Sequence, residues 1–190
     1  MDPKQLYLYA LGEAAKVATE AGPDQMKLPT PDTEWTVRDL LQHIVYEVAW
    51  VADIVAGKTI AEIGTKYDGD LLDNDPVVAW RHYETLTRAA VEGSDVDAVA
   101  HLSYTDTTVG EYLLEAGNDV LVHAWDLGQA IGVDVVFDEN AAKLLYDKAL
   151  PRKDEFAGSG LFADPIAVSE SASTQTKLLA LLGRSERWRK

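Results

Sequence analysis

The stretch from Thr36 to Gly57 constrains the fold more than any other, because it carries a complete set of helix signals in one place. Thr36 is placed to cap the first turn, Asp39 holds the reciprocal position three residues on, and Trp35 can staple onto Leu40. Leu40, Ile44, Val48, Val51 and Val55 then recur at three- and four-residue spacing, the period of a helix that buries one face. Gly57 follows as a C-terminal cap. An amphipathic helix of this length cannot stand alone in water. It demands partners with matching stripes.

Those partners are legible. A first helix is expected from Lys4 to Ala21, with Leu8, Leu11, Ala15 and Ala18 on one face and Gly22-Pro23 as its stop. Residues 58–74 read as a loop with room for a short turn. Asp75-Pro76 opens a third helix to about Val91, a capping residue followed by an N1 proline. Residues 98–109 read as extended, with a short hairpin as one form. A fourth helix runs from about Gly110 to Ile131 and ends at Gly132. Asp138 caps a shorter helix to about Leu150, residues 158–168 read as irregular, and a last helix from about Ser171 stops at Gly183. The expected class is all-α: one domain over 1–190, its helical-bundle core at 4–132 and a helical extension at 138–183. With 190 residues, 47% of them hydrophobic, the chain is long enough to bury a real core.

The chemistry concentrates on two of these helices. Asp119 and His123 are an i,i+4 pair on the fourth helix, so both side chains leave the same side one turn apart. At about 100° per residue, Asp119, His123 and Asp126 fall within about 60° of one another on the shoulder of the stripe Leu113, Gly117, Val120, Ala124, Ile131. His43 occupies the corresponding shoulder of the second helix, with Asp39 and Glu47 one turn to either side. Shoulders meet in the groove between packed helices, where a metal is both held and reached. Two imidazoles and a carboxylate suit zinc or nickel and leave a coordination position open. The same spacing also describes an ordinary hydrogen-bonded Asp–His pair on a solvated face, and spacing alone leaves both readings open. Glu47 and Asp126 fit as further ligands or as acceptors that fix an imidazole tautomer, the latter preferred for Asp126.

Other candidates carry less. His82 sits mid-helix beside Trp80 and Tyr83 as a surface or packing residue, and His101 has no helical partner at ligand spacing. Trp35, Trp50, Trp80 and Trp125 read as core or groove lining. No G-x-S-x-G elbow or phosphate loop is present. The absence of cysteine removes disulfides, thiolate metal sites and a cysteine nucleophile, so thiol chemistry needs an external thiol. Seventeen Lys and Arg against 32 Asp and Glu give a formal charge of −15, which repels phosphate backbones and anionic lipids. The basic tail, Arg184 to Lys190, reads as a frayed end. The first residues lack the regions of a signal peptide, and no apolar run nears the roughly 18 residues that span a bilayer, so a cytoplasmic protein is expected.

Glu34-Trp-Thr-Val-Arg-Asp-Leu-Leu-Gln-His43, followed by Asp119-Val-Leu-Val-His-Ala-Trp-Asp-Leu-Gly-Gln-Ala-Ile-Gly132, resembles the metal-binding domain of mycothiol-dependent maleylpyruvate isomerases, within the wider DinB/YfiT-like superfamily. Leu179-Ala-Leu-Leu-Gly183 matches a pattern common in the short, single-domain branch. The resemblance implies an up-down-down-up four-helix bundle and a divalent metal held by His43, Asp119 and His123. It also implies a low-molecular-weight thiol such as mycothiol as co-substrate. The isomerase pattern has Glu where this chain has Asp119, one methylene shorter. It also has a C-terminal domain for which the roughly 60 residues after the fourth helix are too few.

Three functions are thus expected to compete. One is a metal- and thiol-dependent transferase or isomerase, whose partners are a small thiol and a substrate. The second is a non-catalytic metal-binding stress or sensor module. The third is a plain helical scaffold that forms a homodimer through apolar faces.

Overall fold

In the computed structural model, which describes residues 1–32, 34–156, 163–186 and 188, the chain is mostly helical with a small two-stranded sheet. The first helix, α1 (Pro3–Glu20), starts one residue before Lys4 because Asp2 and Gln5 form a reciprocal pair. The Gln5 N–H donates to the Asp2 carboxylate at 2.9 Å and the Asp2 N–H to the Gln5 side chain at 3.1 Å. The expected capping box opens α2 (Val37–Val55), with the Thr36 N–H donating to Asp39 Oδ2 at 2.9 Å. A single turn, α3 (Ile60–Ile63), lies within the segment expected as loop. Asp75 caps α4 (Pro76–Gly93) by accepting from the Val77 and Val78 N–H groups.

The expected extended segment is a hairpin. Strand β1 (Val99–His101) pairs antiparallel with β2 (Asp106–Thr108) in the register Val99 to Thr108 and His101 to Asp106. Thr108 then caps α5 (Val109–Ile131) through the Glu111 N–H, so the hairpin leads straight into the helix that bears Asp119 and His123. Gly132, at φ 84°, ends it in the left-handed conformation a β-carbon disfavours.

The long helices bury one another. α1 packs against α5 and α4, and α2 packs against the same two helices. Leu6, Leu11, Leu40, Leu41, Ile44, Leu113, Leu121 and Leu127 are all fully buried in the core they share. Gly117 lets α1 come close to α5: a β-carbon there would lie 3.4 Å from the Tyr7 Cα. Thr87, buried on α4, donates its hydroxyl to the Val48 carbonyl of α2 at 2.7 Å, which satisfies a polar group inside an apolar interface.

After α5 come α6 (Glu139–Ala149), a 3₁₀ turn over Leu150–Arg152, and the short α7 (Lys153–Phe156). The expected irregular stretch lies partly outside the described residues, and residues 163–168 form no helix or strand. The last helix, α8 (Thr174–Leu181), is shorter than expected because Ser173, not Ser171, supplies the cap. It packs on α6. The Gln175 side chain donates to the Val135 carbonyl and accepts from the Phe137 N–H, which pins the linker after α5. No helix among the described residues is long and apolar enough to cross a membrane.

One buried charge on α2 yields a test of the fold. Burial disfavours the Asp53 carboxylate, but hydrogen bonds from Lys58 (2.7 Å), Lys66 (2.7 Å) and the Tyr67 hydroxyl (2.8 Å) outweigh it and push its pKa down to about 2 from 3.8. A pKa depressed in the folded state contributes stability that is complete above the unfolded value and lost as pH falls through the folded one. Asp53 therefore stabilises the protein by about 2 kcal/mol above pH 3.8, and that contribution vanishes towards pH 2. Asp53→Asn is expected to lower stability at pH 7 by about that amount and to flatten the acid limb of a stability–pH profile measured by urea unfolding.

Candidate metal centre

The groove between α2 and α5 brings His43, Asp119 and His123 together. His43 Nε2 lies 3.6 Å from Asp119 Oδ2, and His123 Nε2 lies 3.5 Å from Asp119 Oδ1. One ligand atom from each of the three falls within 4.8 Å of the others. Four ligands at zinc–nitrogen and zinc–oxygen distances in a tetrahedron stand about 3.4 Å apart, so these separations match the edge of such a shell. The short carboxylate of Asp119 offers one oxygen to each imidazole. Polar satisfaction points the same way. His43 Nε2 and Asp119 Oδ2 are both buried and have no hydrogen-bond partner, an unfavourable state that a cation between them would relieve.

The ligand chemistry is set from behind. His123 is buried, and its Nδ1 lies 3.1 Å from Asp126 Oδ2, an acceptor that favours a proton on Nδ1 and leaves Nε2 towards Asp119. Burial disfavours a charged His123, but Asp119 and Asp126 outweigh it and hold its pKa above the usual imidazole value. Burial likewise opposes charge on Asp119, yet His123, His43 and Arg184 together hold its carboxyl below the usual range. Trp35 closes one wall, with its ring centroid 4.7 Å from that of His43 and 5.8 Å from that of His123.

Around the three candidate residues stands a set of protonatable groups. Glu47 lies one turn beyond His43, and burial and then the Asp119 charge raise its pKa above the ordinary carboxylate value. Burial, followed by Asp119 and Glu47, pushes the Tyr7 phenol up, and its buried hydroxyl has no hydrogen-bond partner. A phenol of α1 and a carboxyl of α2, both of which hold a proton more strongly than usual, thus lie within electrostatic reach of Asp119.

At Arg184 the basic tail departs from the expected frayed end, while Arg187, Arg189 and Lys190 lie outside the described residues. Arg184 is buried, with 9% of its side chain exposed, and donates to Asp126 Oδ2 from Nε (3.3 Å) and Nη2 (3.0 Å) and to Asp32 Oδ2 from Nη2 (3.1 Å). Asp32, His123 and Asp126 also bring three ligand atoms within 4.8 Å, but there the guanidinium already supplies the positive charge. Sequence reasoning missed Arg184 and Asp32. The available signal was a basic residue directly after Gly183, the glycine that closes the apolar run Leu178–Leu182 and turns the chain back.

The remaining candidates stay away from the groove. His82 is exposed against the Tyr83 ring, and His101 pairs with Asp106 across the hairpin at 2.9 Å. Trp80 and Trp125 are buried, and Trp50 is half-buried with its indole N–H lacking a hydrogen-bond partner.

Residues 10–128 match the family model described as the mycothiol maleylpyruvate isomerase N-terminal domain. Two uncharacterized proteins of Mycobacterium tuberculosis, from strains CDC 1551 / Oshkosh and H37Rv, are each 30% identical over 190 residues. Each alignment covers 98% of this chain and 100% of the relative. No solved structure matches.

Proposed function

Because the chain belongs to the mycothiol maleylpyruvate isomerase N-terminal domain family, we propose that it is a cytoplasmic divalent-metal protein that uses a small thiol of the mycothiol type as co-substrate in a transfer or isomerisation reaction. His43, Asp119 and His123 would hold the ion, zinc ahead of nickel. Bound there, the metal would supply Lewis acidity that lowers the pKa of a thiol or water. The observation that carries this reading is the pair of buried, partnerless atoms, His43 Nε2 and Asp119 Oδ2, facing each other at 3.6 Å. The fold proposed is a DinB/YfiT-like bundle of up-down-down-up order. It is supported by the closed ring of contacts in which α1 and α2 each pack on both α4 and α5.

The chain's own residues have separable roles. Asp126 fixes the His123 tautomer, Trp35 shields the imidazoles from water on one side, and Glu47 and Tyr7, both with raised pKa, are proton-bearing groups within electrostatic reach of Asp119. The chain has no cysteine, so the thiol must come from outside.

A second reading is a metal-binding stress or sensor module without turnover. Two measurements separate the readings. Elemental analysis of protein purified without an affinity tag is expected to find about one zinc or nickel per chain. Metal-loaded protein is then expected to consume or conjugate mycothiol in the presence of an electrophilic acceptor. Metal without thiol binding or turnover would leave the module. No metal would leave a helical scaffold, for which a homodimer is the natural test.

A further inference from the structure

We infer that Arg184 is a positioning residue for the metal centre, holding through two carboxylates both the imidazole of His123 and the indole wall beside it. The inference rests on the assignment of His43, Asp119 and His123 as ligands. No periodicity links these residues: Arg184 lies 58 positions from Asp126 and 152 from Asp32.

The first arm runs through Asp126. Its side chain is fully buried, and a buried carboxylate stays ionised only with a cation and hydrogen bonds to hold it. Oδ2 receives both, from Arg184 Nε and Nη2, and the same oxygen faces His123 Nδ1 at 3.1 Å. With that oxygen pinned by the guanidinium, the carboxylate cannot turn away. The imidazole is fixed in tautomer and ring plane, with Nε2 directed at Asp119. Without Arg184, the buried Asp126 carboxylate would lose the partner that holds its orientation and would rotate, which releases the imidazole.

The second arm runs through the loop between α1 and α2. Arg184 Nη2 also donates to Asp32 Oδ2 at 3.1 Å. The Asp32 carbonyl accepts the Trp35 N–H at 3.0 Å, and the Trp35 ring stands against both imidazoles. One guanidinium nitrogen therefore ties α5 to the loop that walls the site. The remaining Nη1 donates to the Leu182 carbonyl at 3.0 Å, so the side chain is anchored to the end of α8 as well. Arg184 connects three separate parts of the chain behind the ligands without touching the groove between them.

The test compares wild type with Arg184→Ala, Arg184→Lys and Asp32→Asn. Zn²⁺ affinity is measured by chelator competition, and the visible absorption spectrum of the Co²⁺-substituted protein reports ligand geometry independently of activity. Arg184→Ala is expected to weaken Zn²⁺ binding about 10–100-fold and to change the Co²⁺ bands. Arg184→Lys is expected to recover part of both, since an ammonium can replace the one nitrogen that meets both carboxylates. Asp32→Asn, which keeps the Asp126 pair, should have a smaller effect of the same kind. A folded Arg184→Ala protein with affinity and Co²⁺ bands unchanged from wild type overturns the inference, even if its melting temperature falls. If Arg184→Ala does not fold, the decision passes to the other two variants, and wild-type affinity and bands in both overturn it. Wild-type protein that takes up neither ion overturns the ligand assignment and this inference together. Uptake by wild type and variants alike removes only the role of Arg184.

Discussion

His123→Ala is expected to lower zinc affinity by roughly 10²–10³-fold, with retained helical content. The magnitude follows from sharing the roughly 10–16 kcal/mol of a typical four-ligand zinc site among its ligands, which gives about 2.5–4 kcal/mol each. The fold is expected to survive because Asp126 keeps Arg184 as its partner when the imidazole is gone. The same residue sets the pH dependence. Asp119 and Asp126 hold the His123 pKa above 6.5 against the effect of burial, so protons compete with the metal for Nε2 at a higher pH than for an ordinary histidine. Apparent affinity should begin to fall as pH is lowered through the neutral range, and in His123→Ala that part of the profile should disappear. Chelator competition across a pH series checks both. Unchanged affinity in the variant would remove His123 from the ligand set.

Trp80→Ala is expected to be the most destabilising of the single core truncations, by about 3–5 kcal/mol. The reason is the composition of α4. Trp80, Thr87 and Val91 are the fully buried residues of that helix, and Trp80 is the largest of them at 1% exposure. α4 packs on both α1 and α2, so a cavity there loosens two interfaces. For a chain of this size each kcal/mol is worth about 2–4 °C, so the melting temperature should fall by roughly 6–20 °C. α4 contributes none of the three ligands. Metal affinity measured well below the transition should therefore hold, and a parallel loss of affinity would show that the groove geometry depends on the far side of the core.

The contrast between the two regions explains what could be read from the residues alone. α2 and α5 announce themselves through local chemistry: Thr36 with Asp39 at one start, Thr108 and Gly132 at the ends of the other, and apolar stripes between. A helix of known phase converts position into direction, which is why Asp119, His123 and Asp126 could be placed on one shoulder. The encounter of His43 with Asp119 required only that two striped helices pack side by side. The start of α8 was ambiguous because Ser169, Ser171 and Ser173 all offer the same local cap, and only packing on α6 selects among them. Arg184 and Asp32 were illegible for a stronger reason. Each lies outside a helix, where no period assigns a direction, and their meeting at 3.1 Å depends on how two distant loops return to α5. Trp35 shows the same limit at shorter range. Its position before the cap suggested a contact with Leu40 but gave no sign that its ring would also stand against the two imidazoles.

The pairing of Asp126 with Arg184 has a consequence for synthesis on the ribosome. The acid is made 58 residues ahead of its guanidinium, and the ribosomal tunnel withholds the arginine for some time longer. A nascent chain that has already collapsed its first helices therefore lacks the partner of this acid, and it cannot settle the neighbouring imidazole until α8 docks. Metal capture should accordingly be a late event in the life of each new molecule, following the docking of α8 rather than guiding the collapse of the helices before it.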